Sequence, residues 1–81
     1  MQLSKPVELE VTNREGEKVT VKANKVRVGW EGWDFLDFDK EISINGGTLG
    51  CLTIPDLEAI KLLRKQGIKP EELEQIIEEE I

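Results

Sequence analysis

The stretch KVTVKANKVRVGWEGWDFLDF, residues 18–38, decides the architecture. Val19, Val21 and Ala23 occupy odd positions between polar residues, whereas Val26, Val28 and Trp30 occupy even ones. Strand side chains alternate between faces with period two, so this change of parity requires a turn or a bulge near Asn24-Lys25. The aromatic segment that follows holds every aromatic residue of the chain: Trp30, Trp33, Phe35 and Phe38. Read as a strand, it directs Trp33 and Phe35 to one face and Leu36 and Phe38 to the other. Large apolar groups on both faces predict either a sheet that curls toward a small barrel or a face buried by another molecule.

Upstream, VELEVT at residues 7–12 alternates strictly, with Val7, Leu9 and Val11 on the apolar face. Pairing it with residues 18–23 across the NREGE turn sets Val11 opposite Val19, Leu9 opposite Val21 and Glu8 opposite Lys22. Apolar match and charge match select the same register. Downstream, EISINGGTL at residues 41–49 carries Asn45-Gly46, a strong hairpin signal because type I′ turns need positive φ at both central residues. A two-residue loop there pairs Ile42 with Leu49 and Ser43 with Thr48. The glycines of GGTLG, residues 46–50, read as this turn and not as a phosphate cradle, since no strand–helix–strand unit surrounds them.

The last third changes to helical spacing. Thr53 is expected as N-cap with Asp56 three residues on, Leu57, Ile60 and Leu63 as an inward stripe with Ala59 and Leu62 beside it, and Gly67 as the stop. A second helix starts at Pro70 with Leu73, Ile76, Ile77 and Ile81 as its apolar face. The predicted fold is therefore α+β: an antiparallel sheet of four to five strands, then a C-terminal helical hairpin. It forms one domain over 1–81, with strands within about 6–52 and helices near 54–66 and 70–80.

AIKLLRKQGIKPEELEQII, residues 59–77, resembles the opening two helices of many helix-turn-helix domains. That resemblance implies DNA contact, but residues 70–81 carry six acids and no cation. Phosphate would repel such a helix, so no DNA binding is expected through this hairpin.

Composition removes whole classes of chemistry. The chain of 81 residues has no histidine and one cysteine, which excludes histidine-based nucleophilic catalysis and cysteine-rich zinc sites. Cys51, within GCLTI, is expected as a small buried hydrophobe. No cofactor motif is present, so none is expected. Formal charge is −6, from six cations and four anions in residues 1–30, one and five in 31–54, and four and eight in 55–81. Nucleic acid and anionic membranes do not attract such a chain. With no signal-peptide pattern and no long apolar run, a cytoplasmic protein is expected.

Three features remain as candidate sites. Lys18, Lys22, Lys25 and Arg27 form a basic ribbon, expected to protect a sheet edge. Asp37, Asp39 and Glu41 alternate, share one strand face at about 7 Å spacing, and form a weak candidate set for a hard cation such as magnesium or calcium. The aromatic segment is the strongest. Trp33 is expected as the anchor of a partner-binding surface with Trp30 and Phe35, rimmed by Glu31, Asp34 and Asp37.

The functional expectation is a small non-enzymatic protein-interaction module, an adaptor or an inhibitor of a protein partner. Small acidic proteins of mobile elements that block host nucleic-acid-binding enzymes share this make-up. The alternatives are a small-ligand or metal-binding domain and a subunit of a homo-oligomeric assembly.

Overall fold

The computed structural model describes residues 1–41, 43–44, 47–48 and 50–79. Among them the elements are β1 (Gln2–Thr12), β2 (Lys18–Val28), β3 (Trp33–Phe38), β4 (Ser43–Ile44), β5 (Gly47–Thr48), β6 (Cys51–Ile54), α1 (Asp56–Lys65) and α2 (Pro70–Glu78). Four strands form an antiparallel sheet in the order β1-β2-β3-β6, and the two helices follow it. The class is α+β as expected. The sheet stays open, with β1 and β6 at its two edges, so the barrel alternative is not realised. The short β4–β5 ladder sets Ser43 opposite Thr48. The expected Ile42–Leu49 pair and the Asn45-Gly46 turn lie outside the described residues, as does Ile81. No described helix is long and apolar enough to cross a membrane.

The β1–β2 register is the one that charge and hydropathy select: Val11 faces Val19, Leu9 faces Val21 and Glu8 faces Lys22. In the turn between them, the Asn13 side chain accepts the Glu15 and Glu17 N–H groups, and Gly16 takes a φ of 82°.

The parity change falls at Asn24, and it needs no turn. β2 runs unbroken from Lys18 to Val28, yet Ala23 and Val26, three residues apart, are both buried. β3 makes the matching step. Ala23 pairs with Phe38 and Val26 with Phe35, and between them Asp37 adopts a left-handed φ of 60°. The Asn24 amide donates to the Asp37 carbonyl at 2.9 Å and closes the rung where both strands change face. On the other side of β2, the ladder to β1 slips between Gln2 and Val7.

This step corrects the two-faced picture of the aromatic segment. Phe38 leaves the face assigned to it and packs, half-buried, against the core with Trp33 and Phe35. Leu36 remains opposite exposed Lys25 and Cys51 on the outer face. Cys51 is thus exposed and not the buried hydrophobe expected.

The helices cover the inner face. Ala59 and Leu63 of α1 and Leu73 and Ile76 of α2 are buried in the core with Val7, Val21, Val26 and Phe35. α1 ends as foreseen: Gly67 takes a φ of 90°, its N–H donates to the Arg64 carbonyl, and Ile68 N–H donates to the Leu63 carbonyl. These are the two bonds of a Schellman cap, and Leu63 and Ile68, both buried, supply its apolar contact.

Two side chains, one from the C-cap of α1 and one from α2, also seal the β1 edge. The Gln66 amide accepts the Glu8 N–H at 2.7 Å and donates to the Glu8 carbonyl at 2.8 Å, as a neighbouring strand would. Glu72 accepts the N–H and hydroxyl of Ser4 at 2.9 and 2.6 Å. Pro6, between them, has no N–H to offer. Edge protection therefore comes from Pro6, Gln66 and Glu72, and not from the lysines of β2, which is an interior strand. Of that basic ribbon, Lys18 reaches Glu10 at 3.5 Å and Arg27 reaches Asp34 at 3.2 Å.

Candidate partner surface at the β2–β3 tip

β2 ends at Val28 and β3 begins at Trp33 opposite it, which leaves Gly29-Trp30-Glu31-Gly32 as the connecting turn. The Gly29 N–H donates to the Gly32 carbonyl at 2.7 Å and closes the turn on itself. Gly32 lies so close to the end of β6 that a Cβ there would sit 2.3 Å from the Ile54 carbonyl oxygen and 3.1 Å from the Pro55 Cα. The tip is therefore seated against the junction between β6 and α1, and only glycine permits that approach.

The two tryptophans separate completely. Trp33 is 2% exposed, packed in the core, whereas Trp30 is 104% exposed at the apex of the turn. Trp33 and Phe35 are buried in the folded domain, so the expectation of Trp33 as an exposed anchor is corrected; of the expected aromatic set at this tip, Trp30 is the exposed one. The sequence held a usable signal: glycines on either side of Trp30-Glu31 mark a loop, whereas the strand pattern resumes only at Trp33.

A second apolar residue stands out from the same junction. Leu57, in the first turn of α1, is 74% exposed, against the expectation that it lines the core. The inward stripe runs through Ala59 and Leu63 instead. Residues three apart drift by about 60° around a helix, so Leu57, Ile60 and Leu63 cannot all face one way. Thr53 does not cap this helix either. The N-cap is Pro55, without a side-chain cap, and the Thr53 hydroxyl is engaged elsewhere.

Acids outnumber bases in the two segments that meet here. Glu31 is exposed beside Trp30, and Asp56 and Glu58 are exposed on either side of Leu57. Residues 29–39 and 51–60, the segments that meet here, contain no lysine or arginine. Asp34 is committed to its neighbours on the outer face of the sheet. Arg27, Asp34 and Thr53 lie in one row across β2, β3 and β6. The Thr53 hydroxyl donates to the Asp34 carboxylate at 2.5 Å and Arg27 donates to it at 3.2 Å. Asp34 is held below the usual carboxylate range, first by the Thr53 hydrogen bond and then by the Arg27 guanidinium, with burial opposing them.

The candidate cation set does not assemble. Asp37 is the left-handed residue of β3, exposed with Glu41, while the Asp39 carboxylate accepts the Lys22 N–H at 2.9 Å. Among the described residues, no group of three or more Asp, Glu or Cys side chains is placed to hold a metal.

No protein-family model, no curated protein and no solved structure matches this chain.

Proposed function

We propose that this chain is a non-enzymatic protein-interaction module, an adaptor or inhibitor that docks a polypeptide partner through the β2–β3 tip. The observation that carries this reading is the full exposure of Trp30 on a turn fixed by two glycines. Tryptophan is the side chain most enriched among residues that dominate binding energy, and a rigid turn lowers the entropy lost on docking. Leu57, just past the junction on which the tip is seated, is a second exposed apolar residue, and Glu31, Asp56 and Glu58 are exposed acids of the same two segments.

The complementary surface is an apolar slot ringed by lysine and arginine. Such surfaces belong to nucleic-acid-binding proteins, so the chain would act by occupying a site meant for phosphate. Matched affinity capture tests this, with wild type, Trp30→Ala and Glu31→Lys as baits. The expected outcome is a partner held by wild type, lost with Trp30→Ala, and weakened by Glu31→Lys and by added salt. Equal recovery on wild type and Trp30→Ala would place the function elsewhere on the molecule.

A further inference from the structure

A different surface points to a second partner, and it goes beyond the reading of the tip. Between the two helices lies an open cleft of about 340 Å³, lined by Ile60 and Arg64 of α1 and by Pro70, Leu73, Glu74 and Ile77 of α2. Ile77, expected in the core, is 44% exposed here, and Ile60 is half-buried. The walls differ in charge. The C-terminal half of α1 carries Lys61, Arg64 and Lys65, whereas α2 carries Glu71, Glu74 and Glu78 and no cation. Arg64 and Glu74 line the same cleft, both exposed, yet neither forms an ion pair among the described residues.

We propose that this cleft seats a second copy of the chain in a two-fold dimer, with α1 of each protomer lying over α2 of its partner. A two-fold contact requires a patch complementary to itself. One basic wall and one acidic wall meet that requirement when α1 faces the partner's α2, because Arg64 then meets the partner's Glu74 at both symmetry-related places. The alternative, α2 against α2, would stack glutamates on glutamates. The same geometry covers Ile77 and fills the cleft with apolar side chains. The net charge of −6 opposes association of any two copies, so the paired charges of this arrangement are what must offset that repulsion. The patch is small, so the dimer is weak and its population depends on concentration.

Sedimentation velocity over a concentration series of the full chain tests the proposal. Wild type should shift from monomer to dimer as concentration rises. Arg64→Glu and Glu74→Arg should each weaken association about tenfold or more, with unchanged circular dichroism. An equimolar mixture of these two variants should restore the dimer, since each like-charged pair becomes an opposite pair in the mixed species. Ile77→Asp should abolish association, and Trp30→Ala should leave it unchanged, which separates this surface from the tip. Four outcomes would overturn the proposal: a wild type monomeric throughout, single reversals that dimerise normally, a mixture that stays monomeric, or a dimer lost with Trp30→Ala.

Discussion

Replacing Gly32 by alanine tests how the tip is attached to the rest of the domain. The added Cβ would stand 2.3 Å from the Ile54 carbonyl oxygen and 2.8 Å from its carbon, well inside van der Waals contact. Both are backbone atoms at the point where β6 hands over to α1, and Pro55 follows with φ fixed by its ring, so relief requires the tip or the helix start to move. Overpacking of this kind costs about 1–3 kcal/mol, and the Gly32 φ of 155°, rare for L side chains, adds about 1–3 kcal/mol more. The total, about 2–6 kcal/mol, is a large share of the 5–15 kcal/mol usual for a whole domain. At about 4–8 °C per kcal/mol for a chain of this size, Tm should fall by at least about 8 °C.

Two other glycines calibrate the effect. Gly16 has a φ of 82° and open space around it, so Gly16→Ala isolates the backbone cost of about 1 kcal/mol. Gly50 also has open space and no left-handed φ, and Gly50→Ala should stay within about 0.5 kcal/mol of wild type. Urea unfolding followed by far-UV circular dichroism gives the three values on one scale. A Gly32→Ala variant no less stable than Gly16→Ala would refute the close approach, and with it the rigid seating of Trp30.

The remaining predictions concern the aromatic residues and the sheet's polar row. Trp30→Phe should leave a single blue-shifted emission protected from acrylamide, and Trp33→Phe a red-shifted, freely quenched one; the reverse assignment would exchange their roles. Trp33→Ala should destabilise by about 3–5 kcal/mol in urea titration, while Trp30→Ala stays within about 0.5 kcal/mol. Asp34 titrates below its ordinary range in the folded state, so its stabilising contribution is complete above that range and is lost as pH falls through the lowered value. Asp34→Asn and Thr53→Val should each flatten the acid limb of the stability–pH curve, seen as urea midpoints that change less below the ordinary carboxylate range. Asp37→Gly should be neutral or stabilising by up to about 1 kcal/mol, because glycine adopts the left-handed conformation freely, whereas Asp37→Val should destabilise.

Where two independent patterns agreed, the sequence was sufficient. Glu8–Lys22 and Leu9–Val21 select one register for β1 and β2, and the fold uses it. Gly67 marked the end of α1 because the left-handed cap is a local requirement that little else satisfies. The break at Asn24 was legible as a break, but its form was not. Keeping β2 continuous requires β3 to change face at the same rung, and that coupling rests on Asp37, a residue that local pattern assigns to an ordinary strand. Thr53 shows the same limit. Its spacing to Asp56 suggests a cap, but the row that brings Asp34 beside it exists only once β3 and β6 are paired.

The same coupling determines where apolar surface remains. Had the strands kept parity, Phe38 would have joined Leu36 on the outer face and left a patch there for a partner to cover. With the shared step at Asn24 and Asp37, Phe38 turns inward, and the described outer face of β2, β3 and β6 holds Leu36 among Lys25, Arg27, Asp34, Cys51 and Thr53. The sheet thus resolves its own excess hydrophobicity. What it does not absorb are Trp30 and Leu57 beside the β6–α1 junction and Ile77 in the cleft between the helices. Trp30 lies outside the strand ladder and Leu57 lies off the buried stripe of its helix, so neither can be recovered by a shift of register. Their exposure follows from the backbone path itself. It is this fixed placement, more than the number of aromatic residues, that makes the tip and the helix cleft the surfaces to test.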